Sequence, residues 1–89
     1  MQEYLVEFLG TLFLSYVIFA TGNYLAIGAA LAVATLLAGN MSYVAFNPAI
    51  TIGLLAAGKI PTNDFVPYII AQIAGGLAGF RLSQMNNTY

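Results

Sequence analysis

The sequence contains no cysteine and no histidine, and charged residues make up only 6% of its 89 residues. Without cysteine the chain can form neither a disulfide nor a thiolate metal site, and without histidine it lacks the usual proton shuttle and a common metal ligand. The net charge of −1 excludes a polybasic surface for lipid headgroups or nucleic acid. We therefore expect no metal, no cofactor and no nucleic-acid partner.

What the chain has instead is apolar sequence: 61% of its residues are hydrophobic, and the mean hydropathy is +0.87. Buried helices of a soluble core would be an alternative explanation. However, two basic and three acidic side chains leave too little polar sequence to cover a soluble surface. The first residues lack the positive flank of a secretory signal, so we expect the first apolar segment to be retained. The composition predicts an all-α, multi-pass integral membrane protein in a lipid bilayer.

Turn-forming residues divide the apolar sequence into segments. We predict three membrane spans and, before the last of them, a short re-entrant half-helix within one unit of residues 1–82, followed by a polar tail that frays. The predicted spans cover residues 4–21, 24–41 and 64–82, the half-helix covers 48–57, and the tail covers 83–89.

Asn47-Pro48-Ala49 opens the half-helix. Asn47 suits the N-cap, and Pro48 at the first helical position removes no hydrogen bond that the helix needs. At the other end Gly58 suits a left-handed C-terminal position, and Pro61 prevents the helix from resuming. At ~1.5 Å per residue this helix covers about half of a ~30 Å hydrocarbon layer. Its positive N-terminal end is thus expected near the membrane midplane.

Small residues recur at positions where helices can pack closely in lipid. Alanines repeat every four residues in the second segment, and Ala71, Gly75 and Gly79 do so in the last. The residues expected at helix-packing faces are Gly10, Gly28, Ala71, Gly75 and Gly79.

The run of residues 39–51 resembles the first signature loop of the aquaporin and glycerol-facilitator family, the major intrinsic proteins. Residues 7–11 (Glu-Phe-Leu-Gly-Thr) resemble that family's opening helix, Gly28 stands where its second helix usually has glycine, and residues 68–72 resemble its third helix. These elements occur in the family's order and close to its spacing.

The resemblance covers only the first half of the family's fold, a half-aquaporin. Members typically carry two related halves in opposite orientations, whose half-helices meet at mid-membrane, so this resemblance implies that a pore needs a second polypeptide. Lys59 and Arg81 are expected on opposite sides of the membrane, which leaves almost no positive-inside bias. We therefore expect a homo-oligomer, with an antiparallel homodimer as a hypothesis, or a complex with other integral membrane proteins.

The resemblance also assigns roles to individual residues. Asn47 is expected to donate its side-chain N–H to a passing water or alcohol, although it could serve only as a helix cap. Pro48 and Ala49 fix the helix start and permit close approach of a second half-helix. Ile27 falls at the second-helix filter position, and Ile50 follows the motif where the family's second copy has arginine. An apolar, uncharged constriction would make small neutral solutes or gases as plausible as water.

Glu7 lies inside a predicted span, where a carboxylate marks function or an internal partner. The resemblance implies that Glu7 and Gln72 hydrogen-bond the loop backbone around residues 42–46. The alternatives are that Glu7 snorkels to the interface and that Gln72 makes a simple interhelical hydrogen bond.

Three functions remain open, and none of them is enzymatic because no nucleophile, base or metal cluster is present. The favoured function is a passive channel for water or small neutral solutes, built from two or more copies. The alternatives are a non-conducting structural or assembly subunit of a larger membrane complex and a regulatory partner of a full-length channel.

Overall fold

A computed structural model describes residues 1–86, which form four α-helices and no β-strand. The helices are α1 (Gln2–Thr21), α2 (Tyr24–Ala38), α3 (Pro48–Ala56) and α4 (Thr62–Asn86). Within this part of the chain, α1 packs against both α2 and α4, and α3 packs against α4. The all-α architecture predicted from the sequence is confirmed.

The turn between α1 and α2 is built from Gly22 and Asn23. Gly22 takes a left-handed conformation with φ 56°, and its N–H donates to the carbonyl of Ile18 at 2.9 Å. The side chain of Asn23 then caps α2 by accepting from the N–H groups of Leu25 and Ala26, at 3.0 and 2.9 Å. A glycine stop followed by an asparagine cap ends one helix and starts the next within two residues.

Helix α3 ends as its sequence predicts. Gly58 adopts φ 70°, the Gly58 N–H donates to Leu55 at 3.0 Å, and the Lys59 N–H donates to Leu54 at 2.8 Å. These two bonds form a Schellman motif, which satisfies carbonyls that the helix end leaves free. The nine residues of α3 are about 13.5 Å long at ~1.5 Å per residue, so α3 is a half-helix.

The predicted bounds of α2 and α4 need correction. The second helix ends at Ala38 rather than at residue 41, and a turn follows in which the N–H groups of Met41 and Ser42 both donate to the Ala38 carbonyl. The last helix begins at Thr62 rather than at residue 64, so Pro67 lies inside the helix, in its second turn.

The last helix also continues beyond residue 82, through Asn86, so the first part of the predicted polar tail is helical. Ser83 is compatible with this because it is buried and its hydroxyl donates to the carbonyl of Phe80 at 2.6 Å. Residues 87–89 of the predicted tail lie outside the described residues.

Close backbone packing joins α1 to α4 through two of the predicted glycines. A Cβ atom at Gly75 would lie 2.5 Å from the carbonyl oxygen of Phe8, and one at Gly79 would lie 2.5 Å from that of Leu12. Any larger residue would push the helices apart. Ala71, the third member of this series, is half-buried.

The other two predicted packing glycines behave differently. Gly10 contacts the ring of Phe46, in the connector before α3, rather than another helix. Gly28 is exposed, and a Cβ placed there would meet no described atom within 4 Å, so Gly28 packs against no helix among residues 1–86 and its predicted packing role stays a prediction. The reason is that α2 contacts α1 alone, through a different face that buries Ala30, Ala34 and Ala38.

Two of the described helices are long and apolar enough to cross a membrane, Gln2–Thr21 and Thr62–Met85. Helix α2 has 15 residues, and its length of about 22 Å falls short of a ~30 Å hydrocarbon layer. Large apolar side chains cover the outside of the chain; Leu36 is 81% exposed and Leu77 is 63% exposed. Such a surface suits lipid rather than water.

Candidate functional site: the half-helix start and its buried support

The start of α3 is organised by Asn47, which the sequence predicts as its N-cap. Asn47 is extended, its Oδ1 accepts from the N–H of Ala49 at 2.8 Å, and Pro48 occupies the first turn. The cap leaves the Nδ2 group of Asn47 without a partner among residues 1–86, and the residue is exposed. One face of the amide therefore caps the helix while the other can donate hydrogen bonds outward.

The connector between α2 and α3, residues 39–47, is conformationally strained. Val44 and Phe46 are not glycines, yet they have φ values of 49° and 53°. A left-handed conformation is rare for non-glycine residues, above all for a β-branched one, and costs of order 1–3 kcal/mol. Tertiary contacts must therefore hold this segment in place.

Glu7 supplies the main contact. Its Oε2 accepts from Ser42 Oγ at 2.8 Å and from the Ala45 N–H at 3.2 Å, and its Oε1 accepts from the Phe46 N–H at 2.9 Å and from Gln72 Nε2 at 2.7 Å. The side chain is fully buried, which rules out snorkelling to the interface. The structure thus places Glu7 where the loop-support interpretation requires it.

The family resemblance predicts a hydrogen bond from Gln72 to the loop backbone, but Gln72 makes none. It is buried, and its hydrogen bonds go to the Glu7 carboxylate and to the hydroxyl of Thr51, 2.7 Å from Nε2. The carboxylate stands between Gln72 and the connector amides and takes those bonds itself. Gln72 therefore supports the loop through Glu7.

Thr51 belongs to the same network, although the sequence alone does not predict its role. It is fully buried, and its Oγ1 lies 3.0 Å from the carbonyl oxygen of Asn47. A continuous series of hydrogen bonds thus runs from Glu7 through Gln72 and Thr51 to the backbone of Asn47. The i, i+4 spacing from Asn47 to Thr51 is the sequence signal that could have indicated this contact.

Tyr68 is a second missed support. It is fully buried, its hydroxyl oxygen accepts from the N–H of Tyr43 at 3.2 Å, and its ring packs edge-on against Tyr4 with centroids 5.9 Å apart. Tyr4 in turn donates to Asp64 at 2.7 Å, which ties the start of α1 to the start of α4.

A groove of about 500 Å³ opens beside the start of α3. Asn47 and Pro48 line it together with side chains of α1 and α4, and most of that lining is apolar. Ile27 is half-buried near the start of α2 and does not line this groove, and its predicted filter role stays a prediction. No group of His, Cys, Asp or Glu in the described residues could hold a metal ion.

These features define a class: a helical integral membrane protein in which a buried carboxylate network holds the start of a half-helix. The family profile described as Major intrinsic protein matches residues 21–87. The chain belongs to the major intrinsic protein family.

Individual relatives agree with this assignment. The chain is 41% identical over 86 residues to glycerol uptake facilitator protein-like 6 of Lactiplantibacillus plantarum, a match that covers 86% of this chain and 40% of the relative. It is 33% identical over 96 residues to aquaporin Z of Rhodopseudomonas palustris, covering 91% of this chain and 40% of the relative. It is 51% identical over 51 residues to aquaporin AqpM of Methanothermobacter thermautotrophicus, covering 57% of this chain and 21% of the relative.

The chain thus spans about 40% of the length of the first two relatives. No solved structure gives a significant match.

Proposed function

We propose that the chain forms a passive channel for water or small neutral solutes when two or more copies assemble, with antiparallel pairing of two copies as the simplest arrangement. The observation that carries this proposal is the divided role of Asn47, whose Oδ1 is fixed by the cap while Nδ2 is left to donate beside the groove. Relatives named as aquaporins and glycerol uptake facilitators support the same class of solute.

The chemistry of the step is hydrogen-bond exchange without covalent change. A water or alcohol that reaches the start of α3 accepts from Asn47 Nδ2, and the positive end of the helix dipole orients its oxygen toward the protein. The same dipole disfavours cations and protons at this point. Because the Glu7 network fixes the backbone of Asn47, the donor need not reorganise for each solute.

The lining of the groove argues for neutral solutes. Its polar groups are hydroxyls and amides, and it includes no Asp, Glu, Lys or Arg side chain. Ions would lose their hydration there without gaining a charged partner. Water, small alcohols and small apolar gases meet no such penalty.

Assembly of copies is proposed because one copy does not enclose a path. The groove is open along one side, and α2 contacts only α1 among the described helices. Lys59 and Arg81 give little preference for one orientation in the membrane, which favours insertion both ways and antiparallel pairing. Pairing with other integral membrane proteins would close the groove as well.

The competing function is a non-conducting structural or assembly subunit. The absence of a basic side chain from the groove lining favours it, because the family's filter arginine has no counterpart there. In that case Asn47 would serve only as a cap. A regulatory role beside a full-length channel makes the same prediction for the isolated protein.

Flux measurement on purified protein in liposomes separates these functions. We expect osmotic water or glycerol flux above that of empty vesicles, and we expect Asn47→Asp to change it strongly. Aspartate caps a helix as well as asparagine does, but it removes the Nδ2 donor and adds a negative charge. The substitution therefore tests the outward role of Asn47 while keeping the cap.

Asn23→Asp is the matched control, because Asn23 caps α2 by the same geometry and does not line the groove. It should leave the flux unchanged. Absence of flux from vesicles in which pairing of copies has been verified would contradict the channel and favour the structural subunit.

A further inference from the structure

The groove beside Asn47 covers only one part of the thickness of the membrane. The α4 residues that line it lie between 72 and 80, whereas α4 begins ten residues before Gln72, at Thr62. At ~1.5 Å per residue, those ten residues add about 15 Å of helix on the other side of the start of α3. A solute that crosses the membrane past Asn47 must therefore also travel along this second part of the protein, where the connector and α3 pack against α4.

Tyr43 of the connector lies in this second part. Its N–H donates to the hydroxyl oxygen of Tyr68 at 3.2 Å. Tyr68 precedes Gln72 by four residues, so Tyr43 contacts α4 about 6 Å closer to the Thr62 end than Gln72 does. With 44% of its surface exposed, Tyr43 presents a large side chain to its surroundings at this level.

Other aromatic side chains hold the ring of Tyr43 in place. It packs at a tilt of 52° against the ring of Tyr68, with centroids 6.2 Å apart. Tyr68 is fully buried and packs edge-on against Tyr4, whose hydroxyl donates to Asp64. Tilted and edge-on arrangements of this kind are favourable for aromatic pairs. Because the contacts reach α1 and α4, the position of the Tyr43 ring does not depend on the connector alone.

The exposed side of the connector does not suit lipid. The carbonyl groups of residues 43–46 accept no hydrogen bond among residues 1–86, and the Tyr43 hydroxyl has no partner there either. Non-helical backbone at membrane depth is tolerated only where it is buried in protein or lines a wet cavity. The side of the connector that exposes Tyr43 is therefore expected to face water or solute rather than acyl chains.

We propose that Tyr43 sets the upper size limit of the solutes that the protein conducts. Its ring forms one wall of the path on the Thr62 side of Asn47, and its hydroxyl offers a hydrogen bond to a passing water or small alcohol. This inference rests on the channel function proposed above and adds a second residue to the path. Met41 of the connector is exposed to a similar degree, but it lines a separate apolar groove between α1 and α2.

Flux of solutes of graded size tests the limit. We expect Tyr43→Ala to raise the ratio of ribitol flux to glycerol flux in liposomes by about threefold or more, because removal of the ring widens the path. Tyr43→Phe keeps the ring and removes only the hydroxyl, so it should change this ratio less than about twofold. Tyr24→Ala is the matched control, because Tyr24 is 80% exposed at the start of α2 and does not line the groove. If the unchanged chain conducts and Tyr43→Ala leaves the ratio as it was, this proposal fails while the channel function stands.

Labelling of a single cysteine tests the position of Tyr43 without any flux, since the chain has no cysteine of its own. Tyr43→Cys in liposomes should react with a charged, water-soluble methanethiosulfonate about tenfold faster than Leu36→Cys, because only a thiol in contact with water ionises readily. Leu36 is the lipid-facing control, being 81% exposed on the outside of α2.

Equal rates for the two cysteine variants, or no reaction of either, would overturn the proposal even if the protein conducts. Fast labelling of Tyr43→Cys together with the change in the flux ratio would support it. Fast labelling in vesicles that show no flux would remove the channel function, and the size limit with it.

Discussion

Glu7 and Gln72, from the first and last helices, share a hydrogen bond of 2.7 Å in the interior of the chain. Both side chains are buried, and each continues the contact in a different direction: Glu7 to the connector amides and Gln72 to Thr51 in the half-helix. The pair therefore joins three helices and the connector at one point. The position of the half-helix start depends on this junction.

Glu7→Gln should destabilise the protein. The carboxylate accepts four hydrogen bonds, whereas a glutamine offers one acceptor oxygen and turns an N–H group toward existing donors. Leaving buried donors unpaired in this way should lower the free energy of unfolding by about 2–4 kcal/mol. Thermal unfolding in detergent would measure the loss, and amide hydrogen exchange at Ala45 and Phe46 should accelerate.

Glu3→Gln is the control for that experiment. Glu3→Gln also replaces a carboxylate by an amide near the start of α1. The carboxylate of Glu3, however, contacts only the exposed N-terminal amine, at 3.3 Å. Water and salt screen such an exposed pair, so Glu3→Gln should lower the free energy of unfolding far less than Glu7→Gln does. Equal losses for both variants would contradict the buried junction.

The glycines of the chain should divide into two groups when replaced by alanine. Gly79→Ala places a methyl group 2.5 Å from the carbonyl oxygen of Leu12, which must separate α1 from α4 and should cost about 1–3 kcal/mol. Gly28→Ala meets no described atom and should stabilise a single copy by up to about 1 kcal/mol through helix propensity. Unfolding in detergent at a concentration where copies do not associate gives both values, and a loss at Gly28 matching that at Gly79 would contradict the packing.

Local signals in the sequence were enough to predict how the short helix begins and ends. The cap at Asn47 and the left-handed Gly58 depend only on their neighbours in the chain, so these features follow from residue type. The Glu7 contact with the connector came from the family resemblance. The positive φ of Val44 could not be predicted from residue type, because valine disfavours it; the N–H groups of Ala45 and Phe46, which follow it, donate to the distant Glu7 and hold the segment.

The hydrogen-bond and packing partners of individual side chains depend on how the helices pack, and a single sequence does not reveal that packing. The family resemblance predicts that Gln72 bonds the loop backbone, but the approach of α3 to α4 gives it Thr51, and its other partner is Glu7. Gly28 and Gly75 look alike as small residues in apolar helices. Only Gly75 faces another helix, because α2 has no neighbour but α1 among the described helices.

Thr51→Val tests whether the network positions Asn47 or only stabilises the fold. Valine keeps the volume of the side chain but removes the hydroxyl that lies 3.0 Å from the Asn47 carbonyl and 2.7 Å from Gln72 Nε2. We expect a loss of about 1–2 kcal/mol in unfolding free energy. If the network positions Asn47, flux per folded protein should also fall, because the Asn47 backbone loses a fixed contact.

Thr35→Val provides the comparison for that experiment, since its hydroxyl is exposed and contacts only its own helix. Thr35→Val should leave the unfolding free energy and the flux per folded protein close to those of the unchanged chain. A Thr51→Val protein that is less stable yet conducts normally per folded copy would limit the network to a structural role. The flux can also be measured at a lower temperature, at which the Thr51→Val protein is fully folded. If the flux is still reduced there, the network holds the Asn47 donor in position, because the variant then differs from the unchanged chain only in the position of that donor.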